Sequence, residues 1–203
     1  MNRKIVGVVD YGLGNHASVR DTFKSLDYRC IISSDPEFLS GCDLILLPGV
    51  GAFPAAMSAM RDRGLISFLC TQARSGQPIV GLCLGMQLLA ESSLEHGLTE
   101  GLGLIPGQVI PLEPDHWHIG WNTIEVINQD KLLLPSHGES VYFNHSYVFA
   151  APEEYQIATA QLKESFPVAV RLGNIVGLQF HPEKSQLTGR AILKNLVDGL
   201  TDA

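Results

Sequence analysis

Pro78-Ile79-Val80-Gly81-Leu82-Cys83-Leu84-Gly85-Met86-Gln87 runs from a β-branched apolar stretch through a Gly-x-Cys-x-Gly turn into a helical pattern. A short continuous apolar run bounded by a turn reads as a buried strand, and a strand that opens directly into a helix is the repeating unit of α/β sheets. The turn has the form of a nucleophile elbow with sulfur in place of the serine oxygen. Glycine is required at 81 and 85, because a Cβ there would collide with the neighbouring strand and helix. Cys83 is thereby presented at a helix N-terminus, where the dipole favours a thiolate and backbone N–H groups face an incoming oxyanion. The same turn also suits a buried structural cysteine, so the thiol counts as a nucleophile only if a base accompanies it.

On either side of this stretch the first half keeps the same alternation. Residues 4–10, 29–32, 43–47 and 78–82 read as strands. Helical patterns follow the turn Gly12-Leu13-Gly14-Asn15 to about 26, fill 52–74 and cover 84–91. Continuous apolar strands separated by helices predict a parallel sheet with helices on both faces. The second half strings strand-like pieces together at 102–110, 119–127, 141–149, 155–161, 166–172 and 174–180, with turns at Pro135-Ser136 and Gly173-Asn174. These are expected to add antiparallel strands to the same sheet. A last helix, over 188–200, places Ile192, Leu193, Leu196, Val197 and Leu200 on one apolar stripe. With no internal repeat or linker, one α/β domain over 1–203 is expected.

Composition narrows the function classes. Of 203 residues, 45% are hydrophobic and 17% charged, the balance of a packed globule. Fourteen Lys and Arg against 21 Asp and Glu leave a net charge of −7, which gives no general attraction to nucleic acid or to an anionic membrane. The apolar run 5–9 is too short for a signal core or a membrane span. Cys30, Cys42, Cys70 and Cys83 form no Cys-x-x-Cys pair and have no histidine at metal-ligand spacing. A disulfide framework and a structural zinc are therefore not expected, and a reducing cytoplasm is the natural setting. His116 and His118 stand close together without a carboxylate or thiolate at ligand spacing, so no metal is assigned.

The base comes from Val176-Gly177-Leu178-Gln179-Phe180-His181-Pro182-Glu183. Its apolar run carries His181 to the carboxyl edge of the sheet, where parallel α/β folds place their sites. Glu183, two residues on past a rigid proline, is placed to accept from the imidazole and fix its tautomer.

Together the elbow and the His-Pro-Glu segment resemble those of the class I (triad) glutamine amidotransferases, over essentially the whole chain. The resemblance implies a Cys–His–Glu triad at Cys83, His181 and Glu183 that hydrolyses the side-chain amide of L-glutamine without a cofactor. A narrower similarity is to the glutaminase subunits of imidazole glycerol phosphate synthases. It rests on Asp10-Tyr11-Gly12-Leu13-Gly14-Asn15, Pro48-Gly49-Val50-Gly51, Gly120-Trp121-Asn122, Tyr142-Phe143-Asn144-His145-Ser146-Tyr147 and His181-Pro182-Glu183-Lys184-Ser185-Gln186. It implies an oxyanion loop at Gly49, Val50 and Gly51 beside Leu84, with Gln87, Glu95, His145, Ser146 and Tyr147 around bound substrate. It also implies that Trp121 and Asn122 face a (β/α)8-barrel cyclase partner in a heterodimer, to which ammonia passes.

Three features depart from that pattern. Ile119 stands where methionine often precedes Gly-Trp-Asn, Asn144 is polar within an apolar strand, and Asp115-His116-Trp117-His118 is atypical. A paralogous subunit supplying ammonia for amidino-sugar formation in surface polysaccharide shares the same motifs. A cysteine hydrolase of another class commonly carries histidine directly after the nucleophile, where this chain has Leu84.

Overall fold

A computed structural model describes residues 3–112 and 117–202. Among these residues thirteen strands appear in chain order: β1 Ile5–Val9, β2 Arg29–Ser33, β3 Leu44–Leu47, β4 Ile79–Leu82, β5 Ser92–Ser93, β6 Thr99–Glu100, β7 Gln108–Pro111, β8 His118–Val126, β9 Ser140–His145, β10 Tyr147–Ala150, β11 Gln156–Gln161, β12 Ser165–Leu172 and β13 Ile175–Leu178. The helices are α1 His16–Ser25, α2 Pro36–Ser40, α3 Phe53–Asp62, α4 Leu65–Arg74, α5 Leu84–Leu88 and α6 Gln186–Thr201.

Nine strands form one sheet in the order β2-β1-β3-β4-β13-β12-β11-β8-β9. The first five are mutually parallel, and from β12 onward each strand pairs antiparallel with its neighbour. The four inner parallel strands are apolar because both their faces are covered, whereas β2, at the sheet edge, carries an exposed Arg29. Val6, Val8, Leu44, Leu46, Val80 and Leu82 pack in one core with Phe23 of α1 and with the α6 stripe. Val9, Ile45, Leu47 and Ile79 pack in the other with Met57 and Met60 of α3 and Leu69 of α4.

Beyond the short elements α2, β5 and β6, which the sequence-based expectation lacked, three boundaries differ from it for a local reason. The 84–91 helix ends at Leu88, because the carbonyls of Leu88, Leu89 and Ala90 accept from the backbone of 102–105. That docking also delays the expected 102–110 strand to Gln108. The 141–149 run breaks at Ser146: β9 stays at the edge of the large sheet, while β10 joins a separate four-stranded sheet of order β10-β7-β5-β6. Not all the late strands therefore extend the main sheet.

Candidate active site

β4 and β13 lie side by side in parallel, with Gly81 opposite Gly177 and Leu82 opposite Leu178. Their carboxyl ends deliver Cys83 and the segment 179–183 to one edge of the sheet, where open α/β folds hold ligands. The Cys83 N–H donates to Leu178 O at 2.7 Å and ties the two strand ends together.

Cys83 has φ 52° and ψ −110°, a left-handed conformation that a side chain rarely adopts. Such a residue stores about 1–3 kcal/mol and persists only where its surroundings over-determine it. Here they do. A Cβ at Gly81 would lie 2.4 Å from Gly85 O, and a Cβ at Gly85 would lie 1.8 Å from Leu47 O. Both obstacles are backbone, so neither can move aside.

His181 Nδ1 donates to Glu183 Oε1 at 2.9 Å, with both side chains almost fully enclosed. Burial alone would push the imidazole down. Hydrogen bonds to Cys83 and Glu183, together with the charges of both, outweigh it and raise His181 to about 10. The loop is pinned from behind: Ser185 Oγ donates to His181 O at 2.7 Å and accepts from Tyr142 N–H at 2.9 Å.

A cavity of about 260 Å³ opens over the thiol, lined by Val50, Gly51, Cys83, Leu84, Gln87, Glu95, Asn144, His145, Ser146, Tyr147, His181 and Lys184. Most of the residues singled out from the sequence therefore converge. Glu183 stands behind His181. Gly49 stands behind the loop, where a Cβ would lie 2.5 Å from Tyr11 Oη and 2.8 Å from Leu84 Cβ. Tyr11 Oη, buried and held protonated by that burial, donates to Pro48 O at 2.6 Å. Gly51, at φ +105°, has open space around it, so the loop is fixed at one end and unencumbered at the other.

Gln87 and Glu95 are buried rather than surface polar groups. Glu95 Oε2 accepts from Phe53 N–H at 2.7 Å, capping α3 while the side chain lines the cavity. Gln87 Nε2 donates to Tyr147 O and to Gln179 Oε1, both at 3.1 Å. Gln179 Nε2 in turn lies 3.8 Å from Cys83 Sγ. The sequence reading assigned no role to Gln179, nor to Lys184 on the cavity wall. The signal for Gln179 was present, since an amide inside the apolar run of 176–180 has to be buried with a partner.

Trp121 and Asn122 lie outside this cavity, on β8. Trp121 is 51% exposed and packs edge-on against Tyr142, whose ring is 6.4 Å from that of His181. Asn122 lines a separate apolar cavity of about 740 Å³ with Trp117, Leu162 and Phe166. Asp115 and His116 lie outside the described residues. Among the described residues, no three His, Cys, Asp or Glu side chains gather as metal ligands, and no helix is long and apolar enough to cross a membrane.

A thiol, an imidazolium and a carboxylate at the carboxyl edge of a mostly parallel sheet define the class: an α/β fold equipped for acyl transfer through cysteine. The family model described as "Glutamine amidotransferase class-I" matches residues 7–199. The imidazole glycerol phosphate synthase subunit HisH of Listeria monocytogenes is 45% identical over 194 residues, 94% of this chain and 93% of that protein. The HisH subunit of Bacillus licheniformis is 43% identical over 200 residues, 94% of each. A glutamine amidotransferase of Thermotoga maritima has the same fold, with a TM-score of 0.74 over all of both chains at 16% identity. The chain belongs to the class-I glutamine amidotransferase family and, within it, to the HisH group of imidazole glycerol phosphate synthase subunits.

Proposed function

We propose that the chain, acting as a single domain, hydrolyses glutamine to glutamate and ammonia through Cys83, His181 and Glu183. The observation that carries this reading is a thiol and an imidazole facing one cavity at the ends of two adjacent parallel strands, with the Glu183 carboxylate bonded to the imidazole from behind. The Cys83 thiolate attacks the side-chain carbonyl carbon of glutamine, and the electron pair moves to oxygen. Backbone N–H groups of the 48–51 loop and of Leu84 receive the oxyanion. As the tetrahedral species collapses, the C–N bond breaks, His181 protonates the departing nitrogen, and ammonia leaves behind a γ-glutamyl thioester. His181 then takes a proton from water, whose oxygen attacks the thioester and releases glutamate with the thiolate restored. Glu183 holds the imidazole in the tautomer that serves both steps.

In this reading Gln87, Glu95, His145, Ser146 and Tyr147 hold the glutamine, and the chemistry requires no metal or cofactor. The relatives' name supports a further assignment. The ammonia passes to a (β/α)8-barrel cyclase subunit, in a heterodimer that makes imidazole glycerol phosphate and AICAR in histidine biosynthesis. Trp121, half exposed beside Tyr142, is the anchor for that subunit.

Cys83→Ala tests the mechanism. Glutamine hydrolysis should vanish while far-UV circular dichroism is retained, and free ammonia should still support the partner's synthesis. Hydrolysis surviving in Cys83→Ala would rule the mechanism out. Mixing with the cyclase barrel and its nucleotide ligand is expected to accelerate glutamine hydrolysis; a rate indifferent to the barrel would reject the coupling.

A further inference from the structure

Next to the site, two buried histidines form a contact that the catalytic steps above do not use. His118 Nδ1 lies 2.9 Å from His145 Nε2, and His145 Nδ1 lies 2.9 Å from Tyr147 O. At the other end, Asn122 Nδ2 lies 3.2 Å from His118 Nε2. These three contacts admit one direction of donation. A carbonyl only accepts, so the proton of His145 sits on Nδ1. Burial pushes His145 down to about 4, so the ring is neutral and its Nε2 is an acceptor. His118 must therefore donate from Nδ1. Burial lowers His118 as well, so its Nε2 is left to accept from the Asn122 amide.

The Asn122 end is fixed independently. Its Oδ1 accepts from Thr123 N–H at 2.8 Å, and its Nδ2 also donates to Gln161 O at 2.9 Å, which sets the orientation of the amide. The His118 ring is held between Phe143, stacked at 4.3 Å, and Phe166, edge-on at 5.5 Å. At the far end, Tyr147 O receives both His145 and the Gln87 amide, and Gln87 leads through Gln179 to the sulfur of Cys83.

We propose that His118 is a positioning residue for the glutamine pocket: the one-way relay Asn122→His118→His145→Tyr147 holds the strand break at Ser146 against Cys83 from the strand that carries Trp121. This rests on the glutaminase reading given above. β9 and β10 belong to different sheets, and at the joint between them Ser146 O accepts from Leu112 N–H at 3.0 Å. The relay adds a side-chain tie from β8 across the same joint.

Two measurements test this. In the wild-type protein, long-range nitrogen NMR should find both His118 and His145 carrying hydrogen on Nδ1. Hydrogen on Nε2 of either ring would overturn the relay without reference to activity. Glutamine kinetics, with the cyclase partner present, form the second. His118→Leu keeps an apolar side chain between the two phenylalanines but removes the donor, so KM should rise by about tenfold, equivalent to about 1.4 kcal/mol. Its kcat should stay within roughly threefold, because the triad is untouched. His118→Asn places an amide donor near the position of Nδ1 and should recover most of the lost KM. An unchanged KM in His118→Leu, or a KM in a folded His118→Asn no better than in His118→Leu, would reject the role. A wild-type protein that fails to hydrolyse glutamine would instead reject the functional reading, leaving the NMR result to stand alone.

Discussion

Two buried imidazoles that line one cavity with the same thiol are driven in opposite directions, and the difference lies in their partners. His181 keeps its proton to about 10 because Cys83 and Glu183 both favour the cation. His145 loses its proton near 4 because burial disfavours its cation and the bond to the Tyr147 carbonyl, with no anionic partner beside it, does not offset that. Linkage gives opposite signs. The contribution of His181 to stability is full below its unfolded value of 6.5 and is lost as pH rises through about 10. For His145 the unfolded state takes up a proton first, so stability is lost as pH falls from 6.5 through about 4. Urea midpoints measured across this range should therefore decline on both sides of 6.5. His181→Gln should flatten the alkaline limb and His145→Gln the acidic one. If both limbs persist in both variants, other groups control them. A narrower check uses Cys83→Ala, in which the ring titration of His181 should move down from about 10, since the thiol bond is the largest upward influence.

At the level of strands and helices, the sequence made the parallel half legible. The runs 5–9, 44–47 and 79–82 are apolar at every position because both faces are covered, and that is visible without coordinates. The break at Ser146 was not legible, because the apolar alternation continues across it while the two halves join different sheets. The end of α5 was likewise hidden, since carbonyl partners from 102–105 are set by tertiary docking, not by local propensity. Two glycines of the site make an informative contrast. Gly85→Ala meets the backbone carbonyl of Leu47 and should cost about 3 kcal/mol or more, measured as a loss of urea midpoint. Gly51→Ala meets nothing and carries only the left-handed penalty, about 1–2 kcal/mol. Equal losses would contradict the steric account of the elbow.

For the molecule as a whole, the convergence of Cys83, His181 and Glu183, the triad we propose, was readable because each sits at or just past the end of a recognisable run. The partner of Gln179 and the His118–His145 contact were not, because Gln87 lies far off in the chain on α5 and the register that sets His118 opposite His145 in β8 and β9 is fixed only by the folded sheet. Ile119 and Trp121 project from the same face of β8, 59% and 51% exposed, and Trp121 packs against Tyr142 beside His181. Truncating an aromatic anchor at an interface centre typically costs at least about 2 kcal/mol. Trp121→Ala should thus weaken cyclase binding by about 30-fold or more in a titration of the two subunits, with the melting temperature of the isolated chain nearly unchanged. An unaltered affinity would remove Trp121 from the interface.

The left-handed backbone at Cys83 has a consequence for directed evolution. Glycine occupies that conformation without penalty, and only the requirement for sulfur opposes it. A library randomised at position 83 and sorted for thermal tolerance alone should enrich glycine, whereas the same library sorted for growth without supplied ammonia should return cysteine. Divergence between the two pools would measure what selection sacrifices in robustness to keep a reactive atom where it is, and coinciding pools would show that the elbow holds no strain.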